Sequence, residues 1–275
     1  MKVEKNLRLS SGSQIPTIGF GTWQIFPNGR AKKATLSALQ AGYQHIDTAR
    51  IYGNEKGVGE AIRESSVNRE AVFLTTKLWN SNQGYDEAHK AFETSLSRLG
   101  LEYVDLYLIH WPVSGKRLDS WRAIEEIYKS GRAKSIGVSN FTVKHLQELM
   151  NISSVVPTVN QVEFHPFLYN EQIELLEFCD KHNIVVEAYS PLAHGKKTDE
   201  EVLPRIAEAH NKSPQQIMIR WCLQHGTVPL PKSSNFDHIK QNLQVYDFDL
   251  SENEMNAINE LSDGTRTCWN PNDMD

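Results

Sequence analysis

Four ionisable residues stand at or just beyond the ends of β-patterned runs. Asp47 and Tyr52 lie in HIDTARIYGNE (45–55), Lys77 closes LTTK (74–77), and His110 closes LYLIH (106–110). Together they are the parts for protonating a carbonyl oxygen while something else delivers a hydride. A free phenol, with a pKa near ~10, gives up its proton reluctantly. A buried ammonium beside it stabilises the phenolate and is expected to lower that pKa, and a carboxylate in turn keeps the ammonium charged. A histidine next to the reacting oxygen can orient the carbonyl. Taken singly, each residue has a plainer use: Asp47 as a turn residue, Lys77 as a solvated strand end, His110 as a hydrogen-bonded core histidine, Tyr52 as a rim aromatic. The chemistry requires one fold to bring all four together.

The elements that must position them alternate between short β-rich runs and longer amphipathic stretches. Strands are expected at 17–21, 43–48, 72–77, 104–110, 133–139, 158–163, 184–190 and 227–232, with helix-like segments between them. The stretch 31–42 has apolar residues at helical spacing and Gly42 as a stop, and 86–100 reads likewise with Gly100 at its end. In 211–226, Ser213-Pro214 reads as an N-cap followed by proline at the first helical position. Such an alternation, with no GxGxxG after the first strand, favours a closed (β/α)8 barrel over an open doubly wound sheet. Residues 6–16 read as a β-hairpin with Ser-Gly at its turn, capping the bottom of the barrel. A last helix is expected at 252–261, followed by a polar C-terminal loop.

In α/β barrels, chemistry sits on the loops at the C-terminal ends of the strands. Ser139, Asn140, Gln161, Tyr189 and Lys232 fall at strand ends and converge with the first four on one rim. Trp23, Trp79 and Trp111 each follow a strand end and suit the wall of an apolar substrate pocket. His45 and His165 read as structural, and Lys116-Arg117 and Lys196-Lys197 as solvated loop pairs.

The 275 residues fit one large domain, 1–275, without a linker or repeat beyond the βα unit. A net charge of −5 argues against nucleic acid as partner, and no basic tract points to an anionic membrane. Cys179, Cys222 and Cys268 are widely spaced, which fits reduced thiols in a cytoplasmic protein and no metal site. The N-terminus lacks an apolar h-region, and no run of about 18 apolar residues is present.

The strings GFGTW (19–23), HIDTARIYGNE, TTKLW (75–79), LIHWP (108–112), GVSNF (137–141), NQVEFHP (160–166), YSPLA (189–193) and PKSS (231–234) resemble, in order, the aldo-keto reductase family. The short segments after His110 and Tyr189 and the tail TRTCWNPNDMD resemble its microbial branch, which reduces diketogluconates and small aldehydes. The resemblance implies reduction of aldehydes and activated ketones by direct hydride transfer. Tyr52 would donate the proton, Lys77 would tune it, Asp47 would hold Lys77, and His110 would orient the carbonyl. Hydride requires a cofactor, since no side chain supplies one. Without a Rossmann fingerprint, a nicotinamide has to lie across the barrel mouth, with the C-terminal loop over the same face.

On that resemblance, Gly21 and Thr22 belong to the cofactor site. Ser139, Asn140 and Gln161 hold the carboxamide, and Tyr189 stacks on the ring. Ser190, Pro191 and Leu192 approach the pyrophosphate, and Lys232, Ser233, His238 and Asn242 the adenosine end. Two residues depart from the family pattern. Arg50 stands where a small residue is common, and either meets an acidic substrate or points to solvent. His238 stands where an arginine usually meets the 2′-phosphate, so NADPH is expected with NADH also usable. A monomer is expected. The rival readings are an alcohol dehydrogenase built from the same groups and a non-catalytic nucleotide-binding or structural barrel.

Overall fold

Strands β1 (Asn6–Arg8) and β2 (Gln14–Pro16) form the expected antiparallel hairpin in the computed structural model, which describes residues 3–26, 29–198 and 201–274. Its turn contains Ser11 and Gly12, and Gly12 takes the left-handed φ of 92° that a side chain would oppose. Leu9 and Ile15 of the hairpin pack against Phe73, Leu106, Leu108 and Val159, closing one end of the barrel interior.

Eight strands follow in one parallel sheet, each paired with the next in sequence order. They are β3 (Phe20–Gly21), β4 (His45–Asp47), β5 (Phe73–Leu78), β6 (Val104–Ile109), β7 (Ala133–Ser139), β8 (Val159–Glu163), β9 (Val185–Tyr189) and β10 (Val228–Pro229). Gly19 N donates to Pro229 O at 3.0 Å and Gly21 N to Pro231 O at 3.1 Å, which joins the first strand to the last and closes the (β/α)8 barrel. Glycine is what allows this approach. A Cβ on Gly19 would stand 2.5 Å from Leu230 Cδ2 and 2.7 Å from His45 Nδ1. Strand β10 is shorter than the expected run because Pro229 and Pro231 have no N–H for the ladder.

Helices α1 (Arg30–Ala41), α2 (Glu55–Glu64), α3 (Tyr85–Leu99), α4 (Arg117–Lys129), α5 (Val143–Met150) and α6 (Tyr169–Lys181) separate successive barrel strands. Helices α7 (Val202–His210) and α8 (Pro214–Gln224) lie between β9 and β10, while α9 (Phe236–Asn242) and α10 (Glu252–Asn259) follow. Gly42 and Gly100 end α1 and α3 in left-handed conformations, as their positions in the sequence lead one to expect. Ser213 caps α8 in a capping box with Gln216, and Pro214 opens the helix.

A strand turns alternate residues to opposite faces. Ile46, Leu74, Tyr107, Ile136 and Val186 share the main core with helix residues such as Phe92, Trp121 and Leu146. The alternate set, including His45, Asp47, Thr75, Lys77, Gln161 and Glu187, makes a buried polar layer linked across the barrel interior.

The structure corrects the reading of both basic loop pairs in one member each. Arg117 is buried at the start of α4, where Nε donates to Glu148 Oε2 at 2.6 Å and Nη1 to Pro112 O at 3.2 Å. Lys197 bonds Asp263 and also Thr265 Oγ1, at 3.2 Å, tying the loop after β9 to the C-terminal segment. In both cases the partner is remote in sequence, so composition gives no sign of it.

Candidate active site

Asp47 ends β4, Lys77 lies one residue from the end of β5, His110 follows β6, and Tyr52 closes a single 3-10 turn, Arg50–Tyr52. These local stops bring the four side chains together. Lys77 is fully buried, and its Nζ donates to Asp47 Oδ1 at 2.6 Å, Thr48 O at 3.0 Å and Tyr52 Oη at 3.3 Å. An ammonium has three N–H groups and no lone pair. All three are therefore spent, and Tyr52 receives one of them while keeping its own proton for another acceptor.

Burial works against the Lys77 charge, but the Asp47 carboxylate and the Tyr52 oxygen outweigh it and hold the ammonium above its ordinary range. Tyr52 differs from the expected lowering. Burial pushes its phenol up to about 12, the Lys77 charge pulls it back down, and Asp47 adds to the rise. Residue types alone reveal the ammonium but not the desolvation, which is larger here. His110 is shifted well below the usual histidine range by burial, then by the Lys77 charge, so its imidazole is neutral. Its Nδ1 is buried with no hydrogen-bond partner among the described residues, and the residue lines the cavity.

The four residues adjoin one cavity of about 810 Å³, lined by Asp47, Tyr52 and His110 among others. Trp23 packs on Tyr52 with ring centroids 4.8 Å apart, and Trp79 meets His110 edge-on at 5.2 Å. Trp111 is the third indole of the wall. Asn140, just beyond β7, adopts a left-handed φ of 63° and lines the cavity. Its Nδ2 donates to His110 O at 3.0 Å and Ser139 Oγ at 3.1 Å, and Tyr189 Oη donates to its Oδ1 at 2.8 Å.

Gln161 Nε2 donates to Asp47 Oδ2 at 2.9 Å and to Glu187 Oε2 at 2.7 Å, while the residue lines the cavity. Its Oε1 is thus an acceptor with no protein partner among the described residues, suited to a primary amide. A nicotinamide carboxamide is such a group, and the residues present fit it.

A sequence model of the Aldo/keto reductase family matches residues 17–263. The chain belongs to the aldo/keto reductase family. It is 46% identical over 272 residues to a glyoxal reductase of Bacillus subtilis, covering 99% of this chain and 98% of that one. It is 48% identical over 269 residues to a 9,11-endoperoxide prostaglandin H2 reductase of Trypanosoma cruzi, covering 97% and 94%. A crystal structure of a Bombyx mori aldo-keto reductase in complex with NADP superposes with a TM-score of 0.90 at 34% identity, covering 98% of this chain and 96% of that one. This aldo/keto reductase is thus an NAD(P)H oxidoreductase acting on carbonyl compounds.

The remaining expected cofactor residues of this aldo/keto reductase divide into two groups. Gly21, Ser190, Pro191, Leu192 and Lys232 line the cavity. Ser190, Ala193 and His194 all take left-handed φ values, which fold the loop after β9 against the mouth at a cost of order 1 kcal/mol each. Thr22, Ser139, Ser233, His238 and Asn242 do not line it. Thr22 is buried, with its hydroxyl donating to Asp47 O at 2.8 Å, and Ser139 Oγ donates to Gln161 O at 2.8 Å. His238 is exposed on the first turn of α9 beside Asp237, and Asn242 is buried at that helix's end. Arg50 is half-buried outside the cavity lining.

The C-terminal segment supplies a wall that residue-by-residue reading missed. Arg266, Thr267, Cys268 and Trp269 line the cavity, and Trp269 meets Trp111 at 5.6 Å. Glu163, at the end of β8, fixes this segment by accepting from Thr267 N and Thr267 Oγ1, both at 2.6 Å. The expected loop over the active face is there, but a contact between residues 111 and 269 has no local signature. Glu187 was also missed, and here a signal existed. It precedes Tyr189 by two residues, as His45 precedes Asp47, so strand alternation turns each pair inward together. Among the described residues, no helix is long and apolar enough to cross a membrane.

Proposed function

We propose that this aldo/keto reductase reduces small aldehydes and activated ketones to alcohols with NADPH, with Tyr52 as the proton donor. The observation that carries this reading is the use of the third Lys77 N–H on Tyr52 Oη, at 3.3 Å. It leaves the phenol proton as the one free acidic proton of the group, beside a cavity walled by Trp23, Trp79 and Trp111. The bound nicotinamide supplies the hydride. Lys77, kept charged by Asp47, holds the phenol oxygen in position and stabilises the phenolate that forms. An alkoxide is a far stronger base than a phenolate of pKa about 12, so the raised Tyr52 remains a competent acid. It is also protonated at neutral pH, the state a proton donor for reduction needs.

A neutral His110 is a poor general acid but a good orienter, able to hold a carbonyl oxygen through Nε2. His110→Ala is therefore expected to lower kcat/KM for an aromatic aldehyde at least ~10²-fold and leave NADPH affinity within a few-fold. Fluorescence titration of both forms checks this, and a large loss of NADPH affinity would put His110 against the cofactor instead.

NADPH preference on this reading is modest. Lys232, exposed and lining the mouth, is a fixed cation, whereas His238 carries charge only when protonated and shares its helical turn with the acidic Asp237. An arginine would offer a bidentate, always-charged partner to the 2′-phosphate. His238→Arg is expected to raise the NADPH-over-NADH ratio of kcat/KM severalfold. A ratio unmoved by His238→Arg would separate His238 from the phosphate.

A further inference from the structure

Behind the cavity, Glu187 is fully buried in the barrel interior. An amide nitrogen carries two N–H groups, and those of Gln161 go to Asp47 Oδ2 and Glu187 Oε2. The reverse orientation of the amide would set its oxygen against the Asp47 carboxylate, which is ion-paired with Lys77. Glu187 and Asp47 together therefore leave one direction for Gln161 Oε1, toward the cavity that Gln161 lines.

Among the described residues, no lysine or arginine pairs directly with Glu187. Its Oε1 is 3.4 Å from His45 Nε2, whose imidazole burial and then the Lys77 charge hold down at about 3, hence neutral. Gln161 on β8, His45 and Asp47 on β4, and Lys77 on β5 are the polar and charged groups acting on it, while Val228 and Pro229 of β10 add none. Lys77 and Asp47 cancel as a pair, so an ionised Glu187 leaves this interior with an unbalanced negative charge.

We propose that Glu187 is a positioning residue for the nicotinamide end of the cofactor. It holds Gln161 with its acceptor oxygen toward the carboxamide, and its charge favours the oxidised cofactor, whose ring is cationic, over the neutral reduced one. The proposal rests on the cofactor reading above. Burial, then the Asp47 charge, raises the Glu187 carboxyl to about 8, so this charge appears within an accessible pH range.

Cofactor dissociation constants, read by tryptophan fluorescence, test it without requiring Tyr52 to donate a proton. Glu187→Asp keeps the carboxyl but withdraws it from Gln161, and is expected to fold and to raise the NADPH Kd about tenfold, the scale of one lost hydrogen bond. Glu187→Gln retains an acceptor oxygen and is expected to stay within about threefold of wild type. In the wild type, the Kd of NADP+ relative to that of NADPH is expected to fall about threefold between roughly pH 7 and 9, and to be flat in Glu187→Gln. A folded Glu187→Asp binding NADPH like wild type overturns the positioning role. A flat wild-type ratio, or a slope that persists in Glu187→Gln, overturns the role of the charge and decides it even if Glu187→Asp does not fold. Failure of the reduction reading shows separately, as undiminished aldehyde reduction by Tyr52→Phe.

Discussion

Tyr52→Phe is expected to lower kcat for aldehyde reduction at least ~10²-fold, the scale of general-acid catalysis, while NADPH binds within a few-fold of wild type. Only the hydroxyl is lost. The ring keeps its contacts with Trp23 at 4.8 Å and His110 at 5.7 Å, so the cavity wall keeps its shape. Lys77 loses one of three acceptors but retains Asp47 and Thr48 O, so folding is barely affected. Steady-state kinetics with an aromatic aldehyde, paired with a cofactor titration, separate the two effects. A variant keeping more than about a tenth of wild-type activity would remove Tyr52 from the role of proton donor.

Lys77→Met is expected to be as damaging to kcat and, unlike Tyr52→Phe, damaging to stability. The Lys77–Asp47 pair is buried on both sides, and removing one partner strands a charge in a low-dielectric interior at a cost of about 3–5 kcal/mol. Among the described residues, the Asp47 carboxylate would retain only the Gln161 N–H as a hydrogen-bond donor. Urea unfolding should therefore show a much lower midpoint for Lys77→Met. Adding Asp47→Asn should recover much of that stability, because no charge is then stranded, without recovering activity. The residual reductive activity of Lys77→Met should also change its pH dependence, since the charge that pulls the Tyr52 phenol down is gone. Wild-type activity in Lys77→Met would show that the ammonium does not act on the phenol.

These effects were partly legible in the residues themselves. Short β-rich runs ending at or near Asp47, Lys77 and His110, between amphipathic stretches with stops at Gly42 and Gly100, implied a barrel whose one rim carries the chemistry. Alternation and capping are local properties, written within a dozen residues, so they survive without tertiary information. The hairpin at 6–16 and the Ser213-Pro214 helix start were legible for the same reason. Family strings added which residue types to join and which cofactor to expect.

What only the tertiary structure decided depends on burial and on contacts between distant segments. Residue types indicated that Lys77 would lower the Tyr52 pKa, but the depth of the site makes desolvation the larger influence and the net shift upward. Arg117 and Lys197 looked like solvated loop cations until Glu148 and Asp263 were brought to them. Trp269 joins the cavity wall through a segment held by Glu163, more than a hundred residues earlier. Glu187 gains meaning only once β8 and β4 set Gln161 between two carboxyl groups. A sequence states which groups are present and how the chain alternates locally. Dielectric and proximity across the barrel exist only after it closes.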